Sequence, residues 1–205
     1  MASALTKRQQ QGESSRESIL DAAERLMATR GYAATSVSDI RAACALPASS
    51  IYWHFGSKEG VLAAVMERGA DRYFAAIPPA DSGMDAESRL AAAATLLAQH
   101  PDFMRLLFMQ ALERDSDPAV AAVVRRVRDT AIARFREGIA SLMPQDAPPD
   151  RAERVVTELT GIAVALSDGV FFADHLEPET TDVAQMYRRL YQTLTALIPI
   201  MLEEQ

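Results

Sequence analysis

A cluster of hydroxyl and ring side chains lies near the front of the chain, in the stretch LPASSIYWHFGSKEG at residues 46–60. It contains Ser49, Ser50, Tyr52 and Trp53, the only tryptophan in the protein. Small hydroxyls can hydrogen-bond to base edges or phosphates, a tyrosine can donate to a phosphate, and a tryptophan can contact a thymine methyl group or a sugar. These residue types therefore suggest recognition of nucleic acid.

Helical phase divides this stretch into two faces. At about 100° per residue, Phe55 lies about 40° from Ile51, so these two side chains are predicted to pack inward. Ser49 and Trp53 lie about 160° from Ile51 and are predicted to face outward, with His54 at the boundary. An exposed tryptophan on a short helix is unusual unless it contacts a partner.

Residues for catalysis are not evident. The three histidines, His54, His100 and His175, are far apart in sequence and lack metal-ligand spacing. The chain has no glycine-rich phosphate loop and no nucleophile elbow. Asp174 beside His175 is better explained as a solvated helix end. We therefore expect neither an enzyme nor a metal or cofactor site.

Composition and charge bear on the class of protein. The 205 residues are 49% hydrophobic and 6% aromatic, with nine glycines and ten prolines, which favours an all-α globular protein. The net charge of −7 argues against nucleic acid but is unevenly spread. Residues 1–60 carry seven basic and six acidic side chains, and residues 61–205 carry 14 and 22. The near-neutral front part weakens the charge argument.

The expected compartment is the cytoplasm. A single cysteine, Cys44, excludes an internal disulfide and suits a reducing environment. The start of the chain lacks the apolar region of a signal peptide, and no apolar run approaches the ~18 residues of a membrane span.

About nine helices are predicted, and the first is preceded by a disordered tail at residues 1–13. Ser14 and Glu17 fit a capping box at the start of the first helix, and Gly31 fits its end. Thr35 is the predicted N-cap of the second helix. The predicted helices span residues 15–30, 36–43, 48–55, 57–76, 86–99, 101–114, 118–143, 149–174 and 179–203. The main linker is predicted at residues 78–85.

The second and third helices, joined by about four residues and braced by a longer helix, form a helix-turn-helix pattern. Pro47 fixes φ at the start of the third helix, and it faces the core with Ala48. This geometry also occurs in proteins that bind no DNA, and the spacing alone leaves both interpretations open.

Residues 19–65 closely resemble the amino-terminal domain of TetR-family transcriptional regulators. The matching features are Ala22-Ala23, Gly31-Tyr32, Thr35, Val37, Asp39-Ile40, Ile51-Tyr52, His54-Phe55 and Ser57-Lys58-Glu59. The resemblance implies a three-helix DNA-binding domain at residues 14–60 and a helical-bundle regulatory and dimerisation domain at residues 61–205, connected by the helix at 57–76.

The resemblance also implies roles for individual residues. Thr35, Tyr52 and Lys58 would hold phosphates, Ser49, Ser50 and Trp53 would lie nearest the bases, and His54 would contact the DNA backbone or orient the helix. The full candidate set is Thr35, Ser36, Pro47, Ala48, Ser49, Ser50, Tyr52, Trp53, His54 and Lys58.

Two residues of the turn raise questions. The family commonly has glycine where this sequence has Ala45, and alanine resists positive φ, so this turn is expected to be strained or altered. Cys44 lies beside the reading helix and could act as a redox switch, but it shares the predicted inward stripe of Val37 and Ile40, where cysteine is usually inert.

The last two helices are predicted to form a dimer. Each carries a wide apolar stripe, and Gly161 and Gly169 permit close approach of a second helix. Such a surface favours a homodimer with two-fold symmetry.

An effector pocket is expected in the body of the protein. The helix at 101–114 is apolar almost all round, and methionine adapts to irregular cavities. Asp168 is a candidate polar anchor for a ligand; the alternative, which we favour, is that it caps a helix or pairs with an arginine at the dimer interface. The candidate lining is Phe103, Met104, Leu107, Phe108, Phe135, Asp168 and Phe171, each of which also fits an ordinary core position.

These observations predict a ligand-responsive regulator that binds a palindromic DNA operator as a homodimer, most simply a repressor released by a small-molecule inducer. The alternative is a helical small-molecule-binding protein without a role on DNA.

Overall fold

The computed structural model describes residues 7–78, 83–113 and 117–203. Over these ranges the chain forms helices and no strand. They are α1 (Lys7–Arg30), α2 (Val37–Cys44), α3 (Ala48–Phe55), α4 (Lys58–Ala76), α5 (Ala86–Gln99), α6 (Pro101–Leu112), α7 (Pro118–Ala140), α8 (Pro149–Leu176) and α9 (Val183–Glu203). The all-α fold predicted from the sequence is confirmed, and the predicted bounds of α3 and α5 are reproduced.

The first helix begins earlier than predicted. α1 starts at Lys7, so residues 7–13 are helical where a disordered tail was expected, and residues 1–6 lie outside the described part of the chain. Ser14 is therefore inside the helix, where its carbonyl accepts a hydrogen bond from the Ser18 hydroxyl at 3.0 Å. The predicted capping box with Glu17 is wrong because glutamines, which are good helix formers, extend the helix toward the amino terminus.

The later helices differ from the prediction only at their ends. α9 begins at Val183 rather than residue 179, because Asp182 caps it by accepting a hydrogen bond from the Gln185 N–H at 2.8 Å. α7 ends at Ala140, where the Ser141 hydroxyl bonds back to Gly138 O at 2.7 Å. Residues 79–82 of the predicted linker and residue 114 lie outside the described residues.

The chain divides into two compact units. The first contains residues 1–73 and 100–125, and the second contains residues 74–99 and 126–205. The predicted boundary at residue 60 separates a DNA-binding domain from a regulatory and dimerisation domain, and it stays a prediction.

A buried apolar core holds the first unit together. Its fully buried members include Ile19, Leu20, Met27, Ile40, Ile51, Val61, Leu62, Met66 and Leu106. Arg68 on α4 adds ion pairs to three carboxylates on successive turns of α1, at 2.8 Å from Glu17, 2.7 Å from Asp21 and 2.6 Å from Glu24. The three-carboxylate arrangement fixes α4 against α1, the helix that braces the helix-turn-helix.

The second unit has its own core, formed mainly by α5, α8 and α9. Its buried members include Leu90, Val155, Leu159, Ala163, Tyr187, Leu190, Leu194 and Ile198. The Tyr187 hydroxyl lies 2.6 Å from the Ser167 hydroxyl, which links α8 to α9. Arg151 near the start of α8 donates to Leu202 O at 2.6 Å and so satisfies a carbonyl in the last turn of α9.

Among the described residues, α8 is the one helix whose length and composition would allow it to cross a membrane. Its most apolar stretch is 44% buried by the rest of the chain, as expected of a helix that contributes to a core. No uninterrupted apolar run of that length was predicted, because α8 contains polar residues such as Thr160 and Ser167.

Candidate nucleic-acid interface

The second helix starts at a capping box one residue later than predicted. Ser36, not Thr35, is the N-cap of α2; its hydroxyl accepts from the Asp39 N–H at 3.1 Å, and Asp39 accepts from the Ser36 N–H at 2.8 Å. These hydrogen bonds from Ser36 lower the pKa of Asp39. Thr35 is buried, and its hydroxyl donates to Gly31 O at 2.9 Å. The Thr35 hydroxyl is therefore used inside the domain.

The turn between α2 and α3 has the strained conformation that the sequence suggested. Ala45 adopts φ 55° and ψ 28°, the left-handed region that usually selects glycine. It is the non-glycine residue with positive φ among the described residues. Pro47 follows as the N-cap of α3 with φ −62°. Its ring is exposed, not directed into the core as predicted, because it precedes the first helical turn of α3.

The two faces of α3 are divided as helical phase predicted. Ile51 is fully buried, whereas Tyr52 is 53% exposed and Trp53 is 78% exposed. Ser49 is exposed, and Ser50 is half-buried. Tyr52, Trp53 and Ser49 therefore present an aromatic and hydroxyl surface, which we call the α3 outer face.

Rings continue from the α3 outer face toward α1. His54 is half-buried, with its ring centroid 4.5 Å from that of Trp53 and 5.7 Å from that of Phe55. The guanidinium of Arg16, on α1, lies 5.6 Å from the centroid of Phe55. Burial, and then the positive charge of Arg16, lowers the pKa of His54, which favours the neutral imidazole.

The corner between α3 and α4 depends on two glycines and a serine. Gly56 ends α3 at φ 75°, and its N–H donates to Tyr52 O at 2.9 Å. Ser57 caps α4 as predicted, because its hydroxyl accepts from the Gly60 N–H at 3.1 Å. A Cβ at Gly60 would lie 2.0 Å from Phe55 O, so no side chain fits there without displacing backbone.

Lys58, the predicted phosphate ligand, is the first residue of α4. Its Nζ lies 4.2 Å from the centroid of the Tyr32 ring and 3.5 Å from Ala33 O. The Tyr32 hydroxyl donates to Glu59 Oε1 at 2.9 Å. Burial and then this contact with Glu59 raise the pKa of Tyr32 to about 12. The ammonium is thus held at the positive end of α4, a position that suits an anion.

Cys44 is half-buried, with its Sγ 3.7 Å from Arg41 O. The sequence predicted a buried position for it on the stripe of Ile40. Because α2 ends at Cys44, its side chain lies at the edge of the core rather than within it.

The candidate effector residues lie in both units. Phe103, Met104 and Leu107 are buried in the first unit, and Phe108 is half-buried there. Phe103 packs so closely on Gly69 that a Cβ at that glycine would lie 2.1 Å from the ring. A ligand role for these four residues stays a prediction.

The other three candidates belong to the second unit. Phe171 is buried, and its ring stacks on that of His175 with 4° between the planes. Phe135 packs against the core of the unit. Asp168 accepts from Arg128 Nη1 at 2.7 Å and 2.6 Å, so its arginine partner lies in the same chain rather than across a dimer interface.

The sequence analysis did not assign roles to Tyr32 or Arg16. Tyr32 and Glu59 are far apart in sequence, so no local pattern predicts their hydrogen bond. Arg16 precedes the buried Ile19 by one helical turn, a spacing that places it near the packed face of α1. That spacing is the signal that could have drawn attention to it.

Comparison with known proteins identifies the amino-terminal part. Residues 19–65 match the family of bacterial regulatory proteins, tetR family. A stretch of 60 residues is 40% identical to the HTH-type transcriptional repressor ComR of Escherichia coli (strain K12). That stretch covers 29% of this chain and 29% of the repressor.

Solved structures extend the likeness to most of the chain. A TetR transcriptional regulator of Legionella pneumophila is 22% identical with a TM-score of 0.70, over 94% of this chain and 99% of that one. A Saccharomonospora viridis protein solved in complex with choline is also 22% identical, with a TM-score of 0.67, over 89% of this chain and 96% of that one. At this identity the likeness shows a common fold.

The matched family consists of bacterial regulatory proteins. The helix-turn-helix formed by α2 and α3 lies within residues 19–65, the part of the chain that matches the tetR family of bacterial regulatory proteins.

Proposed function

We propose that the protein regulates transcription by binding a palindromic operator as a homodimer, and that a small-molecule inducer releases it. The observation that carries the proposal is the α3 outer face. Trp53 is 78% exposed on a helix of eight residues and lies next to the exposed Tyr52. A large apolar surface is seldom left uncovered on a short helix without a partner, and an α3 of this kind fits the major groove.

The proposed DNA contacts follow from what each side chain offers. Ser49, Ser50 and Trp53 would meet base edges, and Pro47 and Ala48 would allow the start of α3 to approach the duplex closely. Tyr52, His54 and Lys58 would contact the DNA backbone. We place the contact at the start of α2 with the exposed Ser36, because the Thr35 hydroxyl is buried.

The test is binding to the DNA upstream of the protein's own gene, measured by mobility shift. Wild type should give a discrete complex that survives excess mixed-sequence competitor. Trp53→Ala should weaken this specific complex by about tenfold, since one apolar or bidentate base contact contributes ~1–3 kcal/mol. Binding to mixed-sequence DNA should change much less.

Leu112→Ala is the matched control. Leu112 lies on α6 in the same compact unit and is 78% exposed, the same fraction as Trp53. It should bind the upstream DNA as wild type does. Equal weakening in both variants, or no DNA complex with wild type, would reject the proposed function and favour a ligand-binding protein without a role on DNA.

The dimer interface is proposed on α8. Gly161, Ile162, Ala165, Leu166, Gly169, Phe172 and Leu176 are all exposed. At about 100° per residue these seven uncharged residues fall within ~140° of one another on the helix. Within the described part of the chain, no side chain lies within 4 Å of a Cβ built at Gly161 or Gly169. A second copy of α8 would cover this face, which we call the α8 outer face, and symmetric pairing would present two copies of α3 to two half-sites.

Effector binding is proposed in the helical body. The choline complex of the Saccharomonospora viridis protein supports a small-molecule site in a protein of this fold. Two groups of residues are the candidates: Phe103, Met104, Leu107 and Phe108 in the first unit, and Phe135, Asp168 and Phe171 in the second. Because Arg128 already pairs with Asp168, a cationic ligand would have to replace that arginine at the carboxylate.

Repression is the proposed outcome of DNA binding. The Escherichia coli relative, 40% identical to this chain over 60 residues, is a transcriptional repressor. The proposed site of action is the cytoplasm, where bacterial DNA is accessible.

A further inference from the structure

We infer that Arg16, on α1, binds a DNA phosphate beside α3, so that the bracing helix contributes directly to DNA binding. This inference rests on the proposed function. It adds a contact outside the helix-turn-helix, from a residue to which neither the sequence pattern nor the family resemblance assigned a role.

Arg16 lies beside the carboxyl end of α3. The Arg16 guanidinium lies 5.6 Å from the centroid of Phe55, the last residue of α3. Phe55 contacts the His54 ring, and His54 contacts Trp53, which is 78% exposed on the α3 outer face. Arg16 is therefore joined to the proposed DNA surface by a continuous series of ring contacts.

The positive charge of Arg16 is only partly paired with a carboxylate. The Arg16 side chain is 41% exposed, and its carboxylate partner among the described residues is Glu17, at 3.3 Å. Glu17 places its other carboxylate oxygen 2.8 Å from Arg68 Nη1, so its negative charge is shared between two arginines. A guanidinium has five N–H donors, and one long contact to a shared carboxylate leaves donors available for phosphate oxygens.

The neighbours of Arg16 on α3 are rings. His54 and Phe55 bring no negative charge to it, and the pKa of His54 is lowered by burial and by Arg16 itself. The positive charge at this end of α3 is thus only partly neutralised inside the protein. A phosphate adjacent to the major groove offers the missing negative charge.

The test is the salt dependence of binding to a mixed-sequence DNA duplex of about 30 base pairs, followed by fluorescence anisotropy between ~50 and ~200 mM salt. Because the phosphate term does not depend on sequence, no operator is needed. Arg16→Gln should reduce the slope of log K against log salt by about 0.9 for each protein copy bound. Its affinity should fall by roughly tenfold.

Two variants serve as controls. Arg25→Gln removes the same charge from the same helix, but nine residues further along α1, which places it about 180° away from Arg16. It should keep the wild-type slope. Arg16→Lys keeps the charge and should keep most of the slope. Thermal unfolding of each variant separates a loss of folding from a loss of contact.

The outcomes distinguish this inference from the proposed function. If wild type binds the duplex with a steep salt dependence and folded Arg16→Gln has the same slope, the phosphate contact is rejected while the proposed function stands. Arg16 would then be a structural residue of the α1–α3 contact. An equal loss of slope in Arg25→Gln also overturns the phosphate contact, because the effect would then be general electrostatics. Absence of DNA binding by wild type rejects the proposed function and the inference together.

Discussion

At the scale of single residues, the proposed DNA surface combines side chains that the fold leaves uncommitted with side chains that it holds in place. Trp53 and Tyr52 are exposed, and neither is needed to fill the core that Ile51 completes. Lys58 is held by the Tyr32 ring and by Ala33 O. A lysine that is partly ordered before binding loses less conformational entropy when a phosphate arrives. Tyr32 is therefore a positioning residue for the proposed phosphate contact.

The burial of Tyr32, together with its hydrogen bond to Glu59, predicts a dependence of stability on alkaline pH. Since the pKa of Tyr32 is raised to about 12 in the folded protein, the neutral phenol is favoured, and its contribution is fully present below the ordinary value of 10. This contribution is lost as pH rises from about 10 to about 12. Tyr32→Phe should be less stable than wild type near neutral pH, and the difference should shrink across this window.

Urea unfolding of both proteins at a series of pH values measures this difference. The comparison cancels the titration of groups that both proteins share. A constant difference between wild type and Tyr32→Phe from neutral pH to about 12 would contradict the raised pKa of Tyr32.

At the scale of elements, the structure separates what local pattern can predict from what it cannot. The bounds of α3 were predictable because Pro47 and Gly56 mark its ends and because phase separates Ile51 from Trp53. The start of α1 was not predictable, because Ser14 fits a cap in sequence but the helix continues through it. Likewise Thr35 and Ser36 are both good caps, and only the packing of the α1–α2 loop determines which one is buried.

Contacts between distant elements were also beyond local reasoning. Arg68 meets Glu17, Asp21 and Glu24 across two helices that are far apart in sequence. The close approach of Gly60 to Phe55 O depends on the angle of the α3–α4 corner, which no sequence pattern specifies. The residues of the α3 outer face were predictable from periodicity, whereas the residues that hold Lys58 and Arg16 in place required the folded structure.

The turn between α2 and α3 gives a prediction about stability. Ala45 has φ 55°, a conformation that costs a non-glycine residue about 1 kcal/mol or more. Ala45→Gly removes this strain but makes the unfolded chain more flexible, so we expect a net gain of up to ~1 kcal/mol. Urea unfolding followed by far-ultraviolet circular dichroism measures it.

Ala42→Gly is the matched comparison for this turn. Ala42 is exposed inside α2, and the same substitution there should destabilise the protein by ~0.5–1 kcal/mol. The two changes have the same effect on the unfolded chain, so opposite signs isolate the backbone conformation at residue 45. Destabilisation by Ala45→Gly would show that the turn is not strained.

At the scale of the whole molecule, the two compact units carry different surfaces. The first unit contains the α3 outer face and the ion pairs of Arg68. The second contains the α8 outer face, whose exposed residues combine large apolar side chains with Gly161, Ala165 and Gly169. Small residues among large ones allow two helices to approach closely, and so the α8 outer face suits a second copy of itself better than a flat partner.

The homodimer is tested by Leu166→Glu. Leu166 is exposed about halfway along the length of the α8 outer face, and a charge there would be buried without a partner in a symmetric interface. Wild type at micromolar concentration should have twice the mass of the 22.3 kDa chain in light scattering, and Leu166→Glu should have the mass of one chain.

Leu112→Glu places the same charge on the exposed end of α6 and should leave the dimer intact. A wild-type monomer at this concentration would remove the palindromic operator from the proposed function. A Leu166→Glu variant that stays dimeric would assign the interface to a surface other than α8.

The close approach of Gly60 to Phe55 O has a consequence for engineering. The α3–α4 corner admits no side chain at residue 60, and Ile51 fills the core beneath α3, so these two positions define where the helix sits. Ser49 and Trp53 on the opposite face have no part in holding it there. Libraries randomised at residues 49 and 53 should therefore yield folded proteins with altered operator preference. The DNA-contacting residues of α3 could then be varied while the packing of the helix stays the same.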